Sequence, residues 1–546
     1  MAWSHRIWDL LPADGERAAA LAAACGLEVV VAQCLLHRGL RDRQAVTRFF
    51  SPELSALSDP RQLPDMAAAA ARLQRAVAVG ESIALFGDSD VDGITASAIL
   101  FEWLTAQPAA VRARISNRIE DGYGLSAGAV AALKRSRPGV VVVIDCGTNQ
   151  PDEIAALTRH GSDVIILDHH VPLEPAPAPF AFVNPHRGSV PSPGLCSAGL
   201  ALKLVQALSQ GRTDALWRAV DLAALGTLAD YAPLTGDNRI IVAAGLPRII
   251  ASDRPGLRQL CEAVEITAPT PEQVLRKLVP RLNAAGRLGS AAPVLELLTT
   301  SSPAVSARAL EALGAAHATT KSLHQRILMQ AYEQVNRTSF KDQLVVVVGG
   351  RGWHPGLMGP VAAQLVERFS RPAIAIALDG GTGVGSGRSM AGFNLVEALQ
   401  ACDGMLLRYG GHPQACGLTL SAERLEQFRE RINRHAADTL DCRRLDPAVQ
   451  VDAGVSLDQL TSSTAEQVER CAPFGTGNPK PVLRLSGVAV ERDTARRGWA
   501  CDHSRRVRLW GTLEGCAPDE RYDLLVSPRL KDGELVLSLA DARVAA

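Results

Sequence analysis

Residues 87–93 read GDSDVDG and place Asp88, Asp90 and Asp92 at every second position, between two glycines. Three carboxylates this close repel one another unless cations lie among them, so the segment reads first as a site for hard divalent metal ions. The same spacing opens the calcium loop of an EF-hand, but that loop needs a glutamate at its twelfth position, where this chain has Ile99. An EF-hand loop also follows a helix, whereas the preceding SIALF is apolar and reads as a buried strand.

Two further clusters repeat the arrangement. Residues 139–144 are a near-continuous valine run with Asp145 directly after it, in IDCGT, and residues 164–167 are an apolar run ending in Asp168, His169 and His170. In an open parallel sheet, ligands bind outside the carboxyl ends of the strands, where all three clusters fall. One aspartate after a strand is ordinarily a turn or a helix cap, but three clusters in one sheet point to a site. Asp230, at the end of the helical run in DLAALGTLADYAPLTGDNR, is a candidate fourth carboxylate.

The elements that must hold these residues follow from the surrounding pattern. Strand and helix alternate from Ser82 to about Asp168, which predicts a βαβ sheet with helices on both faces. Before it, residues 1 to about 80 are alanine-rich and read as helices. After it, the prolines of residues 172–193 predict a connection, and residues 198–208 and 215–228 predict helices. In the polar loop SNRIEDGYGLS, Arg118 is either a phosphate contact or a solvated charge, and Tyr123 lies between two glycines. In PRLNAAGRLGS, Arg281, Asn283 and Arg287 stand beside small residues, at either a substrate edge or a tight helix contact. Residues 303–337 predict one long helix, suited to connecting two domains.

A second α/β unit follows, with strands at 344–348 and 373–378 and a glycine-marked turn into a helix over 352–369. Two glycine-rich segments, 380–392 with Ser386, Arg388 and Ser389, and YGGHPQACG with His412, predict loops suited to cradling phosphate. From about Leu445 the texture changes to short strands, at 482–490, 507–513, 522–529 and 535–539, which predicts a small β-barrel separate from the acidic site. There Arg492, Arg496, Arg497, Arg505, Arg506 and Arg508 interleave with Trp499 and Trp510. That pattern is either a groove with stacking platforms for a single strand or a solvated basic hairpin with one core tryptophan.

At 546 residues the chain exceeds a single core, and about three domains are expected. Lysines plus arginines and aspartates plus glutamates number 57 each, so any nucleic-acid surface must be a local patch. The 11 cysteines show no CxxC pair and no zinc-type spacing, as expected of a reduced, cytoplasmic protein. No charged leader precedes an apolar stretch and no apolar run reaches membrane-spanning length, so a soluble protein with no membrane partner is expected.

GDSDVDG, VIDCGT, LDHH and GTLADYAPLTGDNR, in this order, resemble the DHH phosphoesterase superfamily; NRIEDGYGL, PRLNAAGRLG, WHPGLMG, GSGRS, YGGH and APFGTGNPKP resemble its RecJ family of bacterial single-strand-specific exonucleases. The resemblance implies an α/β architecture of four parts. These are a parallel-sheet DHH domain with an N-terminal extension and a helical portion (1–300), a long connector helix (301–340), a second α/β, DHH-associated lobe (341–440) and an OB-type barrel (446–546).

It also implies a two-metal phosphodiesterase, using Mn²⁺ or Mg²⁺, that degrades single-stranded DNA from the 5′ end to mononucleotides in repair and recombination. By the same resemblance, Asp90 and Asp92 are ligands with Asp88 a further candidate, Asp145 bridges the metals, His169 binds one of them and Asp230 completes the set. His170 faces the scissile phosphate, Asp168 orients the histidines, and Ser386, Arg388 and His412 meet substrate from the second lobe. A helicase and a single-strand-binding protein are the expected protein partners, and the chain is expected to be a monomer. The sequence departs from the family at Ser89 and Phe86, and the connector lacks the expected asparagine and arginine pattern around residues 316–325. Two alternatives are a phosphodiesterase for short oligonucleotides or cyclic dinucleotides, which would lack the barrel, and a non-catalytic scaffold in a replication assembly, which would lack the carboxylates.

Overall fold

A computed structural model describes residues 6–117, 124–210, 212–337, 343–390, 392–440, 448–503, 505–517 and 519–545. Arg118 and Tyr123 therefore lie outside the described residues.

The apolar runs of the first half form a five-stranded, all-parallel sheet in the order Ala110–Ile115, Ser82–Gly87, Val140–Ile144, Asp163–Leu167 and Ala181–Val183. Val140–Ile144 is buried along its whole length, because helices cover both faces and a strand covered on both sides has no polar side to show. One face packs on Val91–Thr105, Ser197–Leu208 and Thr213–Ala229, and the other on Ala127–Ser136 and Pro151–Thr158. The register makes Gly87 level with Ile144, and Ile144 level with Leu167. Asp88, Asp145 and Asp168, each the next residue, thus leave the sheet in one row, at the carboxyl ends of its three central strands. Strand order reverses between Ser82–Gly87 and Val140–Ile144, and that crevice is where open α/β sheets bind ligands.

The predicted connector is a single helix, Pro303–Arg337. Its first part contributes Ala309 and Leu313 to the core of the first lobe, and its last part contributes Ile327, Leu328, Ala331 and Val335 to a core of the second. The second lobe has a five-stranded mixed sheet in the order Leu406–His412, Ala415–Ser421, Thr382–Arg388, Ala373–Asp379 and Val346–Arg351. A closed five-stranded barrel ends the chain. Leu483–Thr494, Arg497–Cys501, Arg506–Trp510, Glu534–Val544 and Arg521–Lys531 pair in that order, and the first closes on the last. Among the described residues, no single helix is long and apolar enough to cross a membrane.

The structure departs from the sequence reading in several elements. Ile7–Leu10, expected to be helical, is a strand whose parallel partner Ala448–Val451 lies at the far end of the chain. Ala181–Val183 interrupts the proline-rich connection as a three-residue edge strand, a sheet position that nearby prolines tolerate. Arg497–Cys501 and the helix Ser462–Arg470 were not anticipated. The two glycine-rich segments are largely strands: Thr382–Arg388 is a central strand, and Leu406–His412 pairs with Ala415–Ser421 as a hairpin. A methyl on Gly383 or Gly385 would lie 2.8 Å from Ile376, so these glycines serve close packing on one sheet face, with Ser386 and Arg388 on the other. The barrel packs on the N-terminal helices: Cys34 lies in its core, and Val468 and Cys471, just before it, pack with Val31 and Leu35.

Candidate two-metal site at the lobe interface

Asp90 caps the helix Val91–Thr105, accepting from the Gly93 backbone N–H at 3.1 Å, and so fixes the acidic loop to the helix N-terminus. Asp92, in the first turn, points back to the sheet ends and is 2 % exposed. Its two oxygens accept backbone N–H groups of Ser197 and Ala198, each at 2.8 Å, where the helix Ser197–Leu208 begins and its free amides favour an anion. Asp88 accepts from the Ser116 hydroxyl at 2.9 Å. Asp145 adopts a left-handed backbone, φ +62°, and accepts from the Ser197 hydroxyl at 3.0 Å. Gly93 is required by crowding: a methyl there would stand 2.6 Å from the Asp88 carbonyl oxygen and 3.0 Å from Asp145 Oδ2.

His169 Nε2 lies 3.3 Å from Asp145 and 3.8 Å from Asp92, and its Nδ1 lies 3.8 Å from Asp230, the residue that ends the helix Thr213–Ala229. Asp168 makes a different set of bonds. One oxygen meets His170 Nδ1 at 2.7 Å and the backbone N–H groups of both histidines, and the other accepts from the Thr148 N–H at 3.1 Å. Three groups of ligand atoms, each within 4.8 Å of one another, result: Asp88 with Asp90 and Asp145; Asp92 with His169 and Asp230; Asp145 with Asp168, His169 and His170. The six ligand candidates are thus brought together, and Asp168 and His170 join them.

The electrostatics match the crowding. Burial, and then the neighbouring Asp90 and Asp92, hold the Asp145 carboxyl well above the usual carboxylate range. Burial raises Asp92 as well, and pushes Asp230 up to about 7. Burial alone would lower His169, but Asp145, Asp230 and Asp92 override it and hold the imidazole well above its ordinary value. Burial would raise Asp168, yet its pair with His170 keeps it ionised and below the usual range. Carboxylates forced toward neutrality by burial and by one another form a donor set short of positive charge, and oxygen ligands with one imidazole suit Mn²⁺ and Mg²⁺.

The other candidates divide. His412 comes from the second lobe and stacks on His170, with ring centroids 5.7 Å apart and planes within 18°. Arg388 is held by the Ser386 hydroxyl at 3.0 Å and the Gly387 carbonyl at 2.8 Å, and Ser386 donates to the Cys416 carbonyl. In PRLNAAGRLGS the tight helix contact is present. Asn283 accepts from the Val91 N–H at 3.2 Å, a Gly286 methyl would lie 2.5 Å from the Ser89 carbonyl, and the Arg287 carbonyl abuts Gly356 of the second lobe. Arg281 bonds the Lys277 carbonyl in its own helix. On the barrel, Arg506 and Arg508 lie 4.3 and 5.2 Å from the Trp499 ring centroid, while Arg505 donates to the Leu457 carbonyl. Ser116 and Ser197 escaped the sequence reading, because a serine that bonds a distant carboxylate leaves no local signal.

Residues 82–227 match the DHH family N-terminal domain, 341–438 the DHHA1 domain and 451–500 the RecJ OB domain. The single-stranded-DNA-specific exonuclease RecJ of Dickeya dadantii is 34% identical over 488 residues, covering 84% of this chain and 83% of that protein. The protein of the same name from Bacillus subtilis is 32% identical over 490 residues, and the matched region spans 62% of its length. Among solved structures, RecJ from Thermus thermophilus in complex with Mn²⁺ superposes with a TM-score of 0.83 at 29% identity, covering 98% of this chain and 79% of that one.

Proposed function

This chain belongs to the RecJ family of single-stranded-DNA-specific exonucleases, and from that premise we propose that it hydrolyses phosphodiester bonds of single-stranded DNA from the 5′ end, releasing 5′-mononucleotides. The observation that carries the reading is the convergence of Asp88, Asp90, Asp92, Asp145, His169 and Asp230 at one sheet edge, directly under His412 of the second lobe. Those six residues would hold two divalent cations, Mn²⁺ or Mg²⁺. Bound there, such ions supply an activated water and balance charge that develops on phosphoryl oxygens.

The remaining roles fall to the chain's own groups. Asp168 fixes His170 through Nδ1, so a proton exchanged with the scissile phosphate or the leaving oxygen moves at Nε2. His412, stacked on His170, and Arg388, held in place by Ser386, orient the phosphates from the opposite wall. The barrel face bearing Trp499, Arg506 and Arg508 holds the strand farther from the site. The intact carboxylate set disfavours the scaffold reading, and the closed barrel disfavours the short-oligonucleotide reading.

The test is a time course on 5′-labelled and 3′-labelled single strands, with a duplex control, in manganese, magnesium and chelator. The expected result is early mononucleotide release from the 5′ label, little duplex cutting, none in chelator, and none by an Asp145→Ala variant that still binds the strand. Activity confined to di- and trinucleotides, or full activity in Asp145→Ala, overturns the reading.

A further inference from the structure

We propose that Tyr231 is a stacking platform for a nucleobase next to the scissile phosphate, a role that rests on the single-strand exonuclease reading. Tyr231 follows Asp230 directly, in a backbone pinned by two hydrogen bonds, from its own N–H to the Leu228 carbonyl and from the Ala232 N–H to the Thr227 carbonyl. The residue adopts φ +54°, a left-handed conformation that glycine or asparagine takes readily and a bulky side chain rarely does. Its side chain is nevertheless 64% exposed, and among the described residues its ring meets no aromatic or cationic group and its hydroxyl has no partner.

The left-handed backbone closes the helix Thr213–Ala229, as it does at Arg137 and Ser370 for other helices, but a structural tyrosine would bury its ring or bond its hydroxyl. The two helix-closing hydrogen bonds fix the backbone of Tyr231 directly beside Asp230.

Position agrees with the role. Beyond Tyr231 the chain runs to the segment that leads into the barrel: the Leu234 N–H donates to the Thr476 carbonyl at 2.7 Å, and Pro233 abuts Gly477. Tyr231 therefore stands in the chain between Asp230 of the carboxylate cluster and the contact with the segment that leads into the barrel. An enzyme that consumes a strand irrespective of sequence needs a contact every base can make, and each base offers a π face to an aromatic ring.

Tyr231→Asn removes the ring while keeping a residue at ease in the left-handed region, and Tyr231→Phe keeps the ring without the hydroxyl. With single-stranded DNA in manganese, Tyr231→Asn is expected to raise KM about fivefold or more, as loss of one base-stacking contact would, with kcat little changed. Tyr231→Phe should behave as the parent protein, and thermal unfolding should not fall in either variant. On a strand whose first two nucleotides are abasic, the parent protein and Tyr231→Asn should become equal. A readout without turnover is 2-aminopurine in the first two positions, bound in chelator: the parent protein and Tyr231→Phe quench its fluorescence and Tyr231→Asn does not. Equal loss in both variants, a penalty that persists on the abasic strand, or quenching unchanged in Tyr231→Asn overturns the proposal. A parent protein that quenches 2-aminopurine but cuts no single strand refutes the exonuclease reading and leaves the stacking contact standing.

Discussion

Manganese affinity should tighten about tenfold between about pH 6 and about pH 8. In the metal-free protein burial pushes Asp230 up to about 7, so its ionised fraction rises from about a tenth to about nine-tenths across that interval. A cation takes the ionised form and displaces the proton, so this one group sets a factor of about ten. Asp145 and Asp92 are also held above their usual range, and His169 must shed a proton before it can ligate, so each adds in the same direction. The sign carries over to stability. A carboxylate whose folded value is raised contributes stability below its unfolded value of about 4, and that stability is lost as pH rises through the folded value. The same holds for His169, whose stabilisation is complete below about 6.5 and is lost as pH rises through its raised folded value. Asp168 runs the other way, but only in acid, as pH falls through a value below the usual range. Because 33% of the Asp230 side chain is open to solvent, the affinity ratio is the sharper quantity to measure than the melting temperature. Calorimetric titration with manganese chloride at both pH values, in buffers of differing ionisation enthalpy, measures affinity and proton release together. Affinity that does not change with pH, with no proton released, refutes the argument.

Gly93→Ala puts a methyl against the Asp88 carbonyl and Asp145 Oδ2; it should cost about 1–3 kcal/mol in chelator, read by thermal unfolding, and weaken manganese binding besides. Trp499→Ala should weaken binding of a long strand by about 1–3 kcal/mol, read by fluorescence anisotropy, while hydrolysis of a short oligomer is kept; equal loss on both would place Trp499 in the fold of the cleft. Arg239→Ala should destabilise the protein by about 2–4 kcal/mol in denaturant with metal affinity unchanged. This buried arginine donates to the Phe49, Cys471 and Ala472 carbonyls and lies over the Phe49 ring, tying the N-terminal helices to the segment that enters the barrel.

Part of the candidate carboxylate site was legible because Asp88, Asp145 and Asp168 each follow an apolar run, and such runs become buried parallel strands whose ends the register aligns. Asp88, Asp145 and Asp168 needed nothing else. What holds them was hidden, since the amides that bind Asp92 belong to Ser197 and Ala198, and a helix start does not announce which anion it will face. The strand Ile7–Leu10 was illegible for a related reason: its partner is supplied by residues 448–451, and four residues of IWDL carry no pattern of their own. The basic cluster was read as one surface, yet its members differ. Arg506 and Arg508 cover Trp499, whereas Arg505 is spent on the Leu457 carbonyl, a distinction set by loop geometry and not by residue type.

The stretch of the connector helix at residues 316–325 lies between its two anchored ends. The buried residues that anchor the helix lie on either side of it, Ala309 and Leu313 in the first lobe and Ile327, Leu328, Ala331 and Val335 in the second. Within the stretch only Thr320 is fully buried, while Leu323 is half-buried against the core of the second lobe. A continuous helix anchored at both ends fixes the separation of the lobes by its length, and the contact of His170 with His412 depends on that separation. The stacking of His170 on His412 is therefore expected to survive substitutions at the exposed positions of residues 316–325 that leave the helix continuous.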